Sequence, residues 1–139
     1  MRKALKLIDA NVFIYAAGGP HVYRDPCKRL LGLAAVGELE ANTNIEVLQE
    51  ILHYYRTRRR VPYGREVMER TLAAFRAPLP VPVPTMVRAA EIFERHQALQ
   101  ARDAVHAAVV LEHGLEGIIS ADRGFDQIPG IQRFDPRDL

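Results

Sequence analysis

Short apolar runs alternate along the chain with longer segments of helical periodicity. Ala4–Ile8 is the first run, interrupted by Lys6, and predicts a buried strand ending on Asp9. Residues 11–17 predict a turn or two of helix, which Gly18-Gly19-Pro20 breaks. Asp25-Pro26 reads as a cap followed by proline at the start of a second helix, which Gly37 ends. Leu39–Thr43 predicts a second strand. Thr43 or Asn44 then caps a third helix, whose apolar face carries Ile45, Leu48, Ile51, Leu52 and Tyr55 and which stops before Pro62. Tyr63–Phe75 predicts a fourth helix.

In Pro78–Pro84 prolines alternate with other residues, which removes backbone donors and predicts an extended connector or an edge strand. Thr85 is the expected cap of a helix reaching His96. Gln100–His113 is apolar around most of its circumference, so it is expected to be buried, with Gly114 as its stop. Gly117–Ser120 predicts the next strand, the fourth extended segment if the proline stretch is counted. Gly124–Ile128 predicts a turn, and Ile131–Phe134 a last short strand. Helices alternating with short strands predict an α/β fold, a three-layer α/β/α sandwich around a short, mostly parallel sheet. At 139 residues the expectation is one domain, 1–139.

Composition narrows this picture only slightly. The chain is 48% hydrophobic and 26% charged, and has no apolar run long enough to span a bilayer. Met1-Arg2-Lys3 is basic, but the apolar segment behind it is short, so no signal peptide is expected. A single cysteine, Cys27, has no partner for a disulfide or a metal site, which fits a cytoplasmic protein. Net charge is only +2, yet Arg56, Arg58, Arg59 and Arg60 cluster. They suit a solvated helix end, contact with nucleic-acid phosphates, or both.

The acids carry more information. Asp9 follows the first strand, and in open α/β sheets that edge is where ligands bind. Asp122 lies just past a later strand. Asp103 opens the helix expected to be buried, and a buried carboxylate without a partner costs several kcal/mol. Glu46 and Glu50 share one face of the third helix, and Asp126 is four residues beyond Asp122. Each acid also has a structural use. Asp9 suits a helix cap, Asp103 a cap or a pair with Arg102 or Arg123, Asp122 a turn with Gly124, and Glu46 a helix N-terminus.

Together at one edge, without a cysteine or histidine pair, they suit Mg²⁺ or Mn²⁺ and attack on a phosphodiester. The histidines add little at this level. His106, one turn after Asp103, reads as a packed or surface residue, and Tyr54 and Tyr55 read as core or dimer contacts rather than stacking platforms.

Four stretches resemble the motifs of PIN-domain ribonucleases. Leu7-Ile8-Asp9-Ala10-Asn11 is similar to their opening D-x-N. Asn44–Leu52 resembles a small polar residue followed six positions later by glutamate, a register that selects Glu50 over Glu46. Ala101–Ala108 resembles an aspartate opening an alanine-rich helix. Ile119–Asp126 resembles a strand ending in Ser/Thr-x-Asp with phenylalanine three residues on. The resemblance covers essentially the whole chain, in order. At this length it is similar to the toxin of VapBC-type toxin–antitoxin pairs.

It implies an endoribonuclease dependent on Mg²⁺ or Mn²⁺, usually a homodimer, inhibited by a small antitoxin protein. It makes Asp9, Glu50, Asp103 and Asp122 the acidic quartet. Asn11 would orient Asp9 or a water, Ser120 would support the fourth acid, and Asp126 is a less constant neighbour.

Two other classes compete. A non-catalytic PIN-fold module binding RNA or protein would be expected to have lost some of the four acids, all of which are present. A phosphatase or receiver domain also carries an aspartate after its first strand. It needs a lysine at a late strand end, and no lysine follows Lys28.

Overall fold

The computed structural model describes residues 4–139, so the basic triplet 1–3 lies outside the described residues. Four strands, β1 (Lys6–Ile8), β2 (Ala41–Asn42), β3 (Gly117–Ile119) and β4 (Arg133–Phe134), form one sheet in the order β2-β1-β3-β4. Every pairing is parallel, with Lys6 opposite Ala41 and Gly117, and Leu7 opposite Ile118. Six helices surround it: α1 (Ala10–Ala17), α2 (Arg24–Ala35), α3 (Ile45–Thr57), α4 (Val61–Ala74), α5 (Val83–Arg95) and α6 (Ala101–Glu112).

Strand alternation divides the core in two. Leu7 and Ile118 face α5 and α6, where Ala89, Ile92, Ala104, Ala108 and Phe125 close one layer. Ile8 and Ile119 point the other way, against Val12, Leu30, Val47, Ile51 and Val67 of α1 to α4. These two layers and the sheet between them are the expected sandwich. Because both faces are covered, the central strands are apolar apart from Lys6 at the start of β1, which pairs with Glu116. The chain leaves β1 toward β2 on one side, and later passes from β3 to β4 on the other. The strand order therefore reverses between β1 and β3, and their carboxyl ends open a crevice there.

Local differences from the sequence pattern have local reasons. Asp25 lies in the first turn of α2 and does not cap it; Tyr23 takes the cap position. The proline stretch makes a single parallel bridge, Asn44 with Leu79, so β3 is the third strand and not the fourth. Helix α5 starts at Val83, before the expected cap Thr85, and Pro84 falls in its first turn. A first-turn proline forfeits only an N–H that no helical carbonyl would accept. Thr85 is buried instead.

The pairing of β3 with β4 is tight at Gly117. A methyl group there would lie 2.2 Å from the Gln132 carbonyl oxygen and 2.8 Å from the Phe134 ring. Gly117→Ala is therefore expected to destabilise the protein by about 3 kcal/mol. Gly32→Ala, in α2 with open space around the added carbon, should be neutral or stabilising by up to about 1 kcal/mol. Urea unfolding of the two variants checks both.

Candidate active site

Asp9 follows β1 directly and is almost fully buried. Its backbone N–H donates to the Ile119 carbonyl at 3.0 Å, which fixes it beside the end of β3. One carboxylate oxygen accepts from the Ala10 N–H at 2.7 Å, so Asp9 does cap α1. The other accepts from the Ser120 hydroxyl at 2.7 Å and the Asn11 amide at 3.2 Å. Asn11 also donates to Ser120 Oγ at 3.0 Å, and its own oxygen accepts from Ala121 N at 3.3 Å. Ser120 Oγ further accepts from Asp122 N at 2.9 Å.

The backbone of Ser120 is gripped by the β4 segment. Its N–H donates to the Phe134 carbonyl at 3.1 Å, and its carbonyl accepts from Arg133 at 3.0 Å. Despite these donors, the pKa of Asp9 is raised. Burial is the main cause, with Glu50 adding to it and His106, Ser120 and Ala10 opposing it.

Glu50 reaches the same point from α3, one side-chain oxygen accepting from His106 Nε2. Arg102 lies 3.6 Å from its second oxygen. His106 is fully buried on α6, with Nε2 also 3.5 Å from Asp9. Its Nδ1 meets the Asn44 side-chain nitrogen at 3.0 Å. Asn44 is the N-cap of α3, and its side-chain oxygen accepts from Val47 N at 3.0 Å. That cap fixes the amide, so the NH₂ group faces the ring and donates to Nδ1. The neutral ring then carries its proton on Nε2, directed at Glu50.

Burial disfavours charge on His106, but the Glu50 hydrogen bond and the charges of Asp9, Glu50 and Asp103 outweigh it and raise its pKa. Asn44 works the other way, since donation to Nδ1 favours the neutral ring. One oxygen each from Asp9 and Glu50 and a ring nitrogen of His106 lie within 4.8 Å of one another. For Nε2 to bind a cation, the proton would have to sit on Nδ1, where Asn44 already donates. His106 is thus a donor that orients Glu50.

A cleft of about 680 Å³ opens over these groups, and among the described residues the carboxylates lining it are Asp9, Glu50, Asp103 and Asp122. Asp103 sits at the third position of α6 in a capping box with Gln100. Its pKa is pushed up to about 6, first by burial and then by Asp9 and Asp122, with His106 opposing. Asp122 is exposed and caps the 3₁₀ turn Arg123–Gln127 through Gly124 N at 2.8 Å. Both structural uses read from the sequence are therefore realised alongside the cleft position.

Asp126 departs from expectation. It pairs with Arg133 through two contacts of 2.9 and 3.3 Å and does not line the cleft. Glu46 does not line it either. Of the arginine cluster, only Arg58 does, and Arg102 supplies the second guanidinium. Sequence reasoning undervalued His106. Its buried helical position was visible, but its partners Asn44 and Glu50 lie 62 and 56 residues away.

An acid-lined cleft at the switch point of a parallel sheet is what a PIN domain presents. Residues 6–131 match the PIN domain, and the chain belongs to that family. Within it, the chain is 35% identical over 128 residues to the ribonuclease VapC13 of Mycobacterium tuberculosis, covering 92% of this chain and 98% of that protein. It is 33% identical over 135 residues to VapC7 of the same organism, covering 94% and 90%.

Among solved structures, its fold is similar to a chain of DNA-bound VapBC from Salmonella typhimurium. The TM-score is 0.73 at 17% identity, over 98% of this chain and 99% of that one. A chain of FitAcB from Neisseria gonorrhoeae is similar at TM-score 0.70 and 18% identity, over 97% and 99%.

Two outcomes test the electrostatics. A carboxyl whose folded pKa is raised favours the fold in its protonated form. The contribution of Asp103 is therefore fully present below its unfolded value of 3.8 and is lost as pH rises through about 6. In metal-free buffer Asp103→Asn should match the parent's melting temperature near pH 4 and exceed it at pH 7, by differential scanning fluorimetry. His106→Leu strands Asn44 and Glu50 and should cost about 2 kcal/mol in urea unfolding. His106→Gln, which retains a donor, should cost less.

Proposed function

We propose that this chain, one PIN-like nuclease domain over residues 1–139, is an endoribonuclease. It hydrolyses RNA phosphodiester bonds with Mg²⁺ or Mn²⁺ and acts as the toxin of a type II toxin–antitoxin pair. The observation that carries this reading is the convergence of Asp9 and Glu50 at the strand ends, with Asp103 and Asp122 across the same cleft. The VapC relatives are named ribonucleases.

The donor set fits a hard divalent ion, since it offers carboxylate oxygens without thiolate. The raised pKa values of Asp9 and Asp103 mark negative charge that the protein's own groups leave uncompensated, and a cation between these acids would offset it. Asp9, Glu50, Asp103 and Asp122 are the residues that would hold it. When bound, such an ion neutralises charge on the scissile phosphate and makes water a better nucleophile.

The chain's own residues do the positioning. Ser120, Asn11 and the Ala10 N–H fix both oxygens of Asp9. His106 and Arg102 fix Glu50. Arg102 also places a positive charge at the cleft wall for the substrate's phosphates. Asp126 acts only indirectly, by anchoring Arg133 against the Ser120 carbonyl.

The partner in this reading is a small antitoxin protein, because the structural neighbours include complexes described as toxin–antitoxin and VapBC. A homodimer is supported by an exposed apolar stripe on α5, with Val83, Met86, Val87 and Phe93 at helical spacing. Helices α3 and α4 expose fewer large apolar residues: Ile45, Leu52 and Val61. No described helix is long and apolar enough to cross a membrane, and the lone, buried Cys27 suits a cytoplasmic setting.

Cleavage of an RNA pool should require added Mg²⁺ or Mn²⁺ and stop with chelator. Asp9→Asn should abolish it while leaving the circular dichroism spectrum unchanged. Ser120→Ala, which removes the hydroxyl that donates to Asp9 and accepts from Asn11 and Asp122 N, should slow cleavage by about 10- to 100-fold. Full activity in Asp9→Asn with metal present would sink the assignment.

A further inference from the structure

Beyond β3 the chain is held by a side chain where the sheet can no longer hold it. The β3–β4 ladder advances in steps of two. Ile118 N donates to the Gln132 carbonyl at 2.9 Å, and Ser120 N to the Phe134 carbonyl at 3.1 Å. In a parallel ladder the next donor, toward the Ser120 carbonyl, is the backbone N–H of residue 136. That residue is Pro136, which has none, and the chain turns there into the 3₁₀ segment Pro136–Asp138. Ser120 is fully buried, so its carbonyl needs another partner. Arg133 supplies it, donating from Nη1 at 3.0 Å.

Every nitrogen of this guanidinium is engaged. Nε and Nη2 donate to the two oxygens of Asp126 at 2.9 and 3.3 Å, a planar fork, and Nη1 also lies 3.5 Å from Asp135. The Arg133 side chain is only 11% exposed, and the two carboxylates compensate its charge. Asp135 is itself ionised, since hydrogen bonds from Arg137 hold its carboxyl well below the usual carboxylate range. Neither Arg133 nor its two acids line the cleft. What the guanidinium fixes is the distance between the groups it joins.

Those groups bracket an acid of the cleft. The Ser120–Ala121 peptide has its carbonyl on Arg133 and its N–H on Asn11 Oδ1 at 3.3 Å, while the Ser120 hydroxyl donates to Asp9. Asp122 follows this peptide, its N–H on Ser120 Oγ at 2.9 Å, and opens the 3₁₀ turn Arg123–Gln127 that contains Asp126. Arg133 therefore grips the chain on both sides of Asp122, at residue 120 and at residue 126.

We propose that Arg133 is a positioning residue of the acid site, setting where Asp122 stands relative to Asp9 by bridging the Ser120 carbonyl and Asp126. The inference rests on the metal-dependent ribonuclease reading of the acids and extends it to a group outside the cleft. Lysine cannot take this place, because an ammonium brings the charge without the planar fork.

The test compares the full chain with Arg133→Lys, Asp126→Ala and the pair, each checked by circular dichroism and assayed well below its melting temperature. Isothermal titration calorimetry gives Mn²⁺ affinity, and cleavage of RNA gives kcat and KM. Arg133→Lys should weaken Mn²⁺ binding about tenfold or more and lower kcat by a similar factor, with KM little changed. Asp126→Ala should act in the same direction. The pair should be no worse than Arg133→Lys alone, because both changes break one link. Tyr23→Phe is the control for stability. It removes the 2.8 Å hydrogen bond to Asp135 and leaves the contacts of Arg133, so it should lower the melting temperature without moving Mn²⁺ affinity or kcat.

Parent values of Mn²⁺ affinity and kcat in Arg133→Lys overturn the proposal. So does a change in KM alone, which would make Arg133 a substrate contact, and so do effects at 133 and 126 that add in full. Where Arg133→Lys does not fold, Asp126→Ala decides: weaker Mn²⁺ binding supports the bridge, and parent values overturn it. A parent chain that binds Mn²⁺ but cleaves no RNA overturns the ribonuclease reading, and the calorimetry alone then decides on Arg133. A parent that does neither overturns both.

Discussion

The burial of Asp9 is the constraint around which the rest of the site is arranged. A carboxylate taken from water into the middle of a sheet edge costs several kcal/mol unless donors surround it. Four residues answer that cost. Ala10 supplies a helix N-terminus, Asn11 an amide, Ser120 a hydroxyl, and His106 a ring nitrogen at 3.5 Å. Ala10 and Asn11 are local to the start of α1, but Ser120 would be out of reach without the parallel register that sets Ile8 opposite Ile119. Sheet pairing and site assembly are therefore one event. The donors do not fully offset the burial, since the pKa of Asp9 stays raised. The residual unfavourable charge is the physical opening for a cation.

Glu50 is placed by a different device. The amide of Asn44 spends its oxygen on starting α3 and its nitrogen on His106, which in turn donates to Glu50. One side chain thus ties the beginning of a helix to the orientation of a carboxylate on its second turn. The arrangement also fixes which ring nitrogen bears the proton. A histidine beside two acids resembles a metal ligand by distance alone; its second nitrogen shows why it serves as a donor.

Much of this was legible in the sequence, and the limits are instructive. Strand ends and helix starts are local properties, so Asp9, Asp103 and Asp122 stood out by position, whereas Glu50 was singled out from Glu46 only by the resemblance to the PIN-domain motif that starts at Asn44. The contacts that failed to show are those between distant segments. His106 read as a packed or surface residue because nothing within a turn of it names Asn44 or Glu50. Asp126 sits near Asp122 in sequence, but Arg133 draws it away from the cleft. Tyr54 and Tyr55 are adjacent and look alike, yet helix rotation sends one to the cleft and the other to the core. Pro84 closes a run of alternating prolines that reads as extended, yet it sits in the first turn of α5, where its missing N–H costs no helical bond.

The hold of β4 on Ser120 has a consequence for the order in which the protein is made. Synthesis delivers Asp9 and Glu50 early, but the serine that fixes Asp9 comes 111 residues after it. That serine's own backbone is secured by Arg133 and Phe134, further along still. A nascent chain on the ribosome thus carries its acids without the frame that gives them a shape. The cleft takes form only after residue 134 has cleared the exit tunnel, so the translating ribosome and its message are not exposed to a finished site while most of the chain is being built.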